Sequence, residues 1–198
     1  FRGFIAHHGR RTVAILLAVL LFKVSDQLAG SLSGQFLQAM GYTGAEIGAI
    51  RGGVGLVATI GGGLLGGLFI FRLGVHRGLW IFGALQLLSN LGYMLLPVVG
   101  LSRMTLALVI VMENLSMGLA VAAFMGWLLT LCETRVSATQ YALLTAAMAF
   151  TGSVVGSLSG VLVTRIGWPD FFVLSAVVGL PGLLVLPWAA PWTIQRNR

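Results

Sequence analysis

The sequence has 198 residues, of which 58% are hydrophobic and 9% charged, with 28 glycines and a mean hydropathy of +0.98. An ordinary soluble domain is roughly 25% charged, so this chain has too little polar surface to face water; a soluble globule is excluded and several membrane spans are indicated. Twelve Lys and Arg against five Asp and Glu give a net charge of +7, but the basic residues sit singly or in small groups in loops, which excludes a nucleic-acid partner and points to encoded membrane orientation.

The chain opens at Phe1 rather than Met and reads as a fragment; its basic start, with His7, His8, Arg10 and Arg11, leads into a span too polar at Lys23 and Asp26 for a signal peptide. Apolar runs of about 20 residues predict a single membrane domain with spans near 12 to 36, 45 to 71, 78 to 97, 104 to 131, 138 to 163 and 170 to 190. The runs are continuous rather than alternating, which selects helices over barrel strands. Span one carries Lys23, Asp26, Gln27, Gly30, Gly34 and Gln38 on one stripe, the pattern of a cavity wall at 100° per residue. Lys23 and Asp26, three apart, also read as a pair that neutralises itself.

Span two carries Arg51 on a stripe with Gly48, Gly55, Ala58, Gly62 and Gly66, small residues that leave room for a ligand or for a neighbouring backbone. It ends in Gly63-x3-Gly67-x4-Arg72-Leu-Gly74, whose glycine pair reads as helix packing. Span three has no ionisable residue in its interior. Span four carries Glu113 and Asn114 near its middle; Glu113 either finds a cation across the bundle, such as Arg51 or Lys23, or handles substrate or protons. Cys132 follows it, a lone cysteine that permits no internal disulfide. Span five is rich in hydroxyls and amides at Thr139, Gln140, Tyr141, Thr145, Thr151, Ser153 and Ser157. Gln140 and Tyr141 lie near its cytoplasmic end, as site residues or as interfacial anchors. Span six again lacks interior ionisable groups.

A midspan charge costs roughly 2.5 to 3.5 kcal/mol, so Lys23, Asp26, Arg51 and Glu113 mark a wetted or paired interior. Spans one, two, four and five are expected to line it, with three and six facing lipid. Arg2, Arg10, Arg11, Arg72, Arg77, Arg135, Arg196 and Arg198 fall on the side of the termini, against Arg103 and Arg165 opposite, which places both termini in the cytoplasm. Trp80, Trp127, Trp168, Trp188 and Trp192 lie near span ends, as interfacial rings do. The end of span two recurs 93 residues later as Gly156-x3-Gly160-x4-Arg165-Ile-Gly167 at the end of span five. Those spans run oppositely, which predicts an all-α, polytopic, six-transmembrane-helix half of a major facilitator fold, a 3+3 inverted repeat.

Enzyme readings are not supported. The spans hold no histidine base for a serine nucleophile, no carboxylate and histidine set with metal-ligand spacing, and no phosphate-cradling loop; neither a cofactor nor a metal is expected. The stretches KVSDQLAGSL (23 to 32), AEIGAI (45 to 50), MENLSMG (112 to 118), LCETRVSATQYALLTA (131 to 146) and LPGLLVL (180 to 186) resemble the C-terminal half of the AmpG muropeptide permeases. The resemblance implies a proton-driven symporter of the bacterial inner membrane that imports anhydromuropeptides from cell-wall turnover. Its partners would be lipid, protons, a sugar-peptide substrate and the N-terminal six-helix half that this sequence does not contain. Gly67, Arg72 and Gly74 match the cytoplasmic-loop motif of the facilitators, with Phe71 in place of its Asp. The alternatives are a non-transporting scaffold or pseudo-transporter, a carrier of another substrate such as an acyl-CoA, or a six-helix unit that dimerises to rebuild the cavity.

Overall fold

Lipid offers backbone groups no hydrogen-bond partner, so a spanning chain must satisfy them internally. The computed structural model, which describes residues 12–100, 102–132 and 137–190, does so with helices and has no strand among the described residues. Six helices are long and apolar enough to cross a membrane: α1 (Thr12–Ala39), α2 (Gly44–Leu73), α3 (Val75–Val99), α4 (Arg103–Leu131), α5 (Ala138–Ile166) and α6 (Trp168–Ala189). Arg2, His7, His8, Arg10, Arg11, Glu133, Arg135, Trp192, Arg196 and Arg198 lie outside the described residues. His76 stands in the first turn of α3.

The recurring Arg-x-Gly has a backbone cause. Gly74 (φ 83°, ψ 153°) and Gly167 (φ 81°, ψ 172°) end α2 and α5 in the same way. Each N–H closes the last helical turn, on Ile70 O at 2.8 Å and on Val163 O at 2.9 Å. The chain then leaves through a positive φ that a Cβ disfavours, so one glycine suffices to reverse direction.

Three helices are irregular in their interiors. α1 is interrupted at Lys23, between helical segments Thr12–Phe22 and Val24–Ala39. α2 opens into a π-turn over Arg51–Gly55, a stretch loosened by three glycines. α3 tightens to a 3₁₀ turn over Leu91–Leu95. There Pro97 has no N–H to give the Tyr93 carbonyl, and the N–H of Leu96 takes it instead, one residue early.

The closest helix pairings run α2–α4–α3–α6–α1–α5. That order maps onto itself when α1 exchanges with α4, α2 with α5 and α3 with α6, the exchange an inverted repeat requires. The core forms two apolar clusters. One gathers Phe22, Leu79, Phe82, Phe124, Trp127 and Leu186; the other gathers Phe36, Leu37, Tyr93, Ile110, Phe171 and Phe172. Between them along the helices lie the buried polar residues Ser25, Gln86, Asn90, Ser116 and Ser175.

Two expectations are corrected here. Trp127 is not an interfacial ring but is 0% exposed, edge-on to Phe124 at 5.9 Å between centroids. The glycines that pack helices are not Gly63 and Gly67, where an added Cβ meets nothing within 4 Å. They are Gly62 and Gly66 one position earlier, with Gly118 on α4: a Cβ at Gly62 would overlap the Leu115 carbonyl, one at Gly118 the Thr59 carbonyl, and one at Gly66 would sit 2.8 Å from Ala122 Cβ. The stripe shared with Arg51 is therefore a packing seam from Gly55 to Gly66, while Gly48 stays open.

Candidate functional site

Each helix irregularity presents one polar side chain to an interior layer that reaches from the boundary of the two cores into the Tyr93 cluster. At the break in α1, Lys23 Nζ lies 2.5 Å from Asp26 Oδ2, and both side chains are about 86% buried. The pair sits on successive turns of one stripe, so the helix itself sets the contact. Gln27, next on that stripe, turns toward α5, where an added Cβ on Gly152 would come within 2.5 Å of its Nε2.

At the π-turn of α2, Arg51 donates from Nη2 to Ser33 Oγ of α1 at 2.7 Å. Gly34 leaves space beside it: even a Cβ there would stand 3.7 Å from Nη1. Among the described residues Arg51 forms no ion pair. A π-turn widens a helix by one residue and recurs at functional sites; here it delivers the guanidinium to α1 without displacing the packing seam below it.

At the 3₁₀ turn of α3, the Tyr93 hydroxyl donates to Glu113 Oε2 of α4. Tyr93 is fully buried and held by rings on two sides, stacked on Phe172 at 5.1 Å and edge-on to Phe36 at 6.1 Å. Arg51 is near enough to act electrostatically on both Tyr93 and Glu113, and Asp26 acts on Glu113 likewise. Asn114 closes the α2–α4 side, accepting from Thr59 Oγ1 at 2.9 Å and donating to its own Ile110 carbonyl at 2.8 Å. Asn90 of α3 donates to Ser25 of α1 at 3.0 Å.

The structure thus gathers Lys23, Asp26, Arg51, Glu113 and Asn114 in one layer, with Gln27 on its α5 flank. It does not bring Gln140 and Tyr141 there. The Tyr141 hydroxyl donates to Met125 Sδ at 3.0 Å, packed against the Phe22–Trp127 core, and Gln140 precedes it at the start of α5. Most other hydroxyls of α5 turn back on their own helix: Thr145, Thr151, Ser153 and Ser157 each donate to a carbonyl three or four residues earlier. Gly67 and Arg72 are exposed at the end of α2, and Gly74 is the turn described above.

Glu113 has a phenol as its hydrogen-bond partner, and not the cation across the bundle that was one of the two readings for it. Tyr93, Ser33 and Thr59 escaped the sequence reading, and span three, expected only to face lipid, supplies Tyr93 to the layer. The Asn90–Pro97 stretch held a signal for Tyr93, since a proline inside an apolar span breaks the helix just before it. The chemistry available is specific: an ammonium–carboxylate pair, a carboxylate bound by a phenol, and a guanidinium bound to a hydroxyl, all inside an apolar bundle. Among the described residues no group of His, Cys, Asp and Glu is arranged to hold a metal.

Fold and layer together define a polytopic all-α membrane protein with ionisable groups gathered in its interior. No family model matches the sequence. The chain is 40% identical over 173 residues, 87% of its length, to the anhydromuropeptide permease of Escherichia coli K12, and covers 35% of that protein. It is 37% identical over 174 residues to a Rickettsia conorii protein carrying the AmpG 4 transporter name, covering 88% of this chain and 42% of that one. A Rickettsia prowazekii protein named for transporter AmpG 1 matches at 29% over 191 residues, 94% of this chain and 43% of the relative. The chain therefore spans between a third and a half of the length of these relatives, and its resemblance to the AmpG permeases runs through nearly all of its own length.

Proposed function

We propose that this chain forms part of a proton-coupled importer of anhydromuropeptides, set in the bacterial inner membrane with both termini in the cytoplasm. In this reading Asp26 and Glu113 handle protons, Lys23 compensates Asp26, and Arg51 meets a carboxylate of the peptide moiety. The gathering of these four charged residues in the interior of an apolar bundle carries the reading, supported by the permease names of the relatives. Groups this costly in a membrane are kept where they act on an ion or a substrate. The long exposed apolar faces of α2 (Val57, Leu64, Leu68) and α5 (Phe150, Val154, Leu158) supply a surface for the remaining helices of such a carrier.

The test uses the complete carrier in energised vesicles, comparing muropeptide accumulation with exchange at zero gradient. Asp26→Asn or Glu113→Gln removes a titratable group and adds no charge to the membrane; each is expected to abolish accumulation and retain exchange. Wild-type accumulation in both variants would return these carboxylates to a structural role, as a scaffold reading requires.

A further inference from the structure

Behind Asp26, on the side facing α3 and α6, lies a cavity of about 10 Å³, the room for about one water molecule. Asp26 and Gln86 line it among apolar neighbours that include Phe22, Leu87 and Leu183. Gln86 is only 5% exposed, and its Oε1 has no hydrogen-bond partner among the described residues. Asp26 gives one carboxylate oxygen, Oδ2, to Lys23, and a carboxylate accepts through both. Two acceptors facing one small cavity cannot satisfy each other. With Asp26 ionised, a ligand with two donor hydrogens satisfies both, and a second cation is disfavoured beside the Lys23 ammonium.

We propose that this cavity binds a single water, which donates one hydrogen to Gln86 Oε1 and the other to the Asp26 carboxylate, and that the water lets Asp26 gain and lose a proton while its carboxyl and the Gln86 carbonyl both stay hydrogen-bonded. The first half rests on geometry alone; the second rests on the reading of Asp26 as a proton carrier. When Asp26 takes up a proton, its new O–H donates to the water oxygen, the water turns about its bond to Gln86, and no covalent bond of the water breaks. The charged groups around Asp26 are Lys23 on its own helix and, across the bundle, Glu113 of α4, which Arg51 of α2 also faces; the α3 and α6 walls of the cavity carry no charged side chain. Gln86 is in this account a positioning residue, acting on Asp26 through the water.

X-ray radiolytic labelling of the complete carrier in nanodiscs, in heavy-oxygen water, tests the site. Radicals born from a bound water oxidise the side chains nearest to it, so heavy oxygen is expected on Phe22, Leu87 or Leu183. Labelling should fall to background in Gln86→Met, which keeps the side-chain length and loses the acceptor. No label at these three residues in a wild-type sample that does label exposed Met104 overturns the water, whether or not the variant folds. Accumulation and zero-gradient exchange then test the protonation role: Gln86→Met should lose accumulation and keep exchange. Wild-type accumulation in a Gln86→Met protein that has lost the label overturns that role and leaves the water structural. Wild-type accumulation in Asp26→Asn instead overturns the proposed function, while the labelling result for the water stands.

Discussion

Among single residues, Tyr93 has the most to lose. Its hydroxyl is committed to Glu113 inside a ring of aromatics that fixes its orientation, so Tyr93→Phe deletes one donor and leaves the packing intact. A hydrogen bond to a charged or buried polar partner is worth about 1.5 to 3 kcal/mol, and thermal unfolding in detergent should show a loss in that range. In a Glu113→Gln background the same substitution should cost clearly less, because the pair is already altered; equal costs would mean the two side chains are not coupled. Cys132 gives a second residue-scale expectation. Its Sγ donates to the Leu128 carbonyl at 3.2 Å, just past the end of α4, and burial pushes the thiol above its ordinary range. Only the thiolate reacts with maleimide, so less of it is present at neutral pH than for an exposed cysteine. The labelling rate should still be climbing at pH values above about 8.5, where a free thiol begins to level off. The charged members of the layer were legible in sequence because a charge in an apolar run stands out by its cost. Tyr93 was not, because a phenol in such a run looks like one more aromatic ring.

At the scale of the helix, the α2–α4 crossing rests on small residues of the stripe that Arg51 marks, Gly55, Gly62 and Gly66. Gly62 and Gly63 are adjacent, yet one faces the Leu115 carbonyl and the other faces open space. Gly62→Ala should cost about 2 to 3 kcal/mol by overpacking a backbone contact, and Gly63→Ala should be neutral or slightly stabilising through helix propensity. Differential scanning fluorimetry of the two variants checks this, and equal destabilisation would place the seam elsewhere. A spacing of four was visible at two phases, Gly62-x3-Gly66 on the Arg51 stripe and Gly63-x3-Gly67 beside it, and the apolar surroundings of α2 gave no contrast to choose between a ligand and a backbone as the stripe's neighbour. The same absence of amphipathic contrast hid the bonding of α5: its hydroxyls read as a polar wall, whereas most of them serve their own helix carbonyls. The Arg-x-Gly turns were legible for the opposite reason, since a positive φ leaves glycine as the favoured residue wherever the chain reverses.

For the molecule as a whole, the order of helix neighbours maps onto itself under the exchange that an inverted repeat requires, and α2 and α5 end in matching turns at Gly74 and Gly167. Orientation is a separate matter, resting on the balance of basic residues. If the termini are cytoplasmic, a membrane-impermeant maleimide labels Cys132 in inverted vesicles and spares it in intact cells; strong labelling of intact cells would reverse the topology. We propose that the layer holding Asp26 and Glu113 moves protons with the substrate. This is tested most directly in proteoliposomes bearing the complete carrier and an internal pH-sensitive dye, with muropeptide added outside and no imposed gradient. The wild-type carrier should acidify the lumen as substrate enters, and Asp26→Asn or Glu113→Gln should admit substrate without acidification. Acidification at the wild-type rate in both variants would contradict the account.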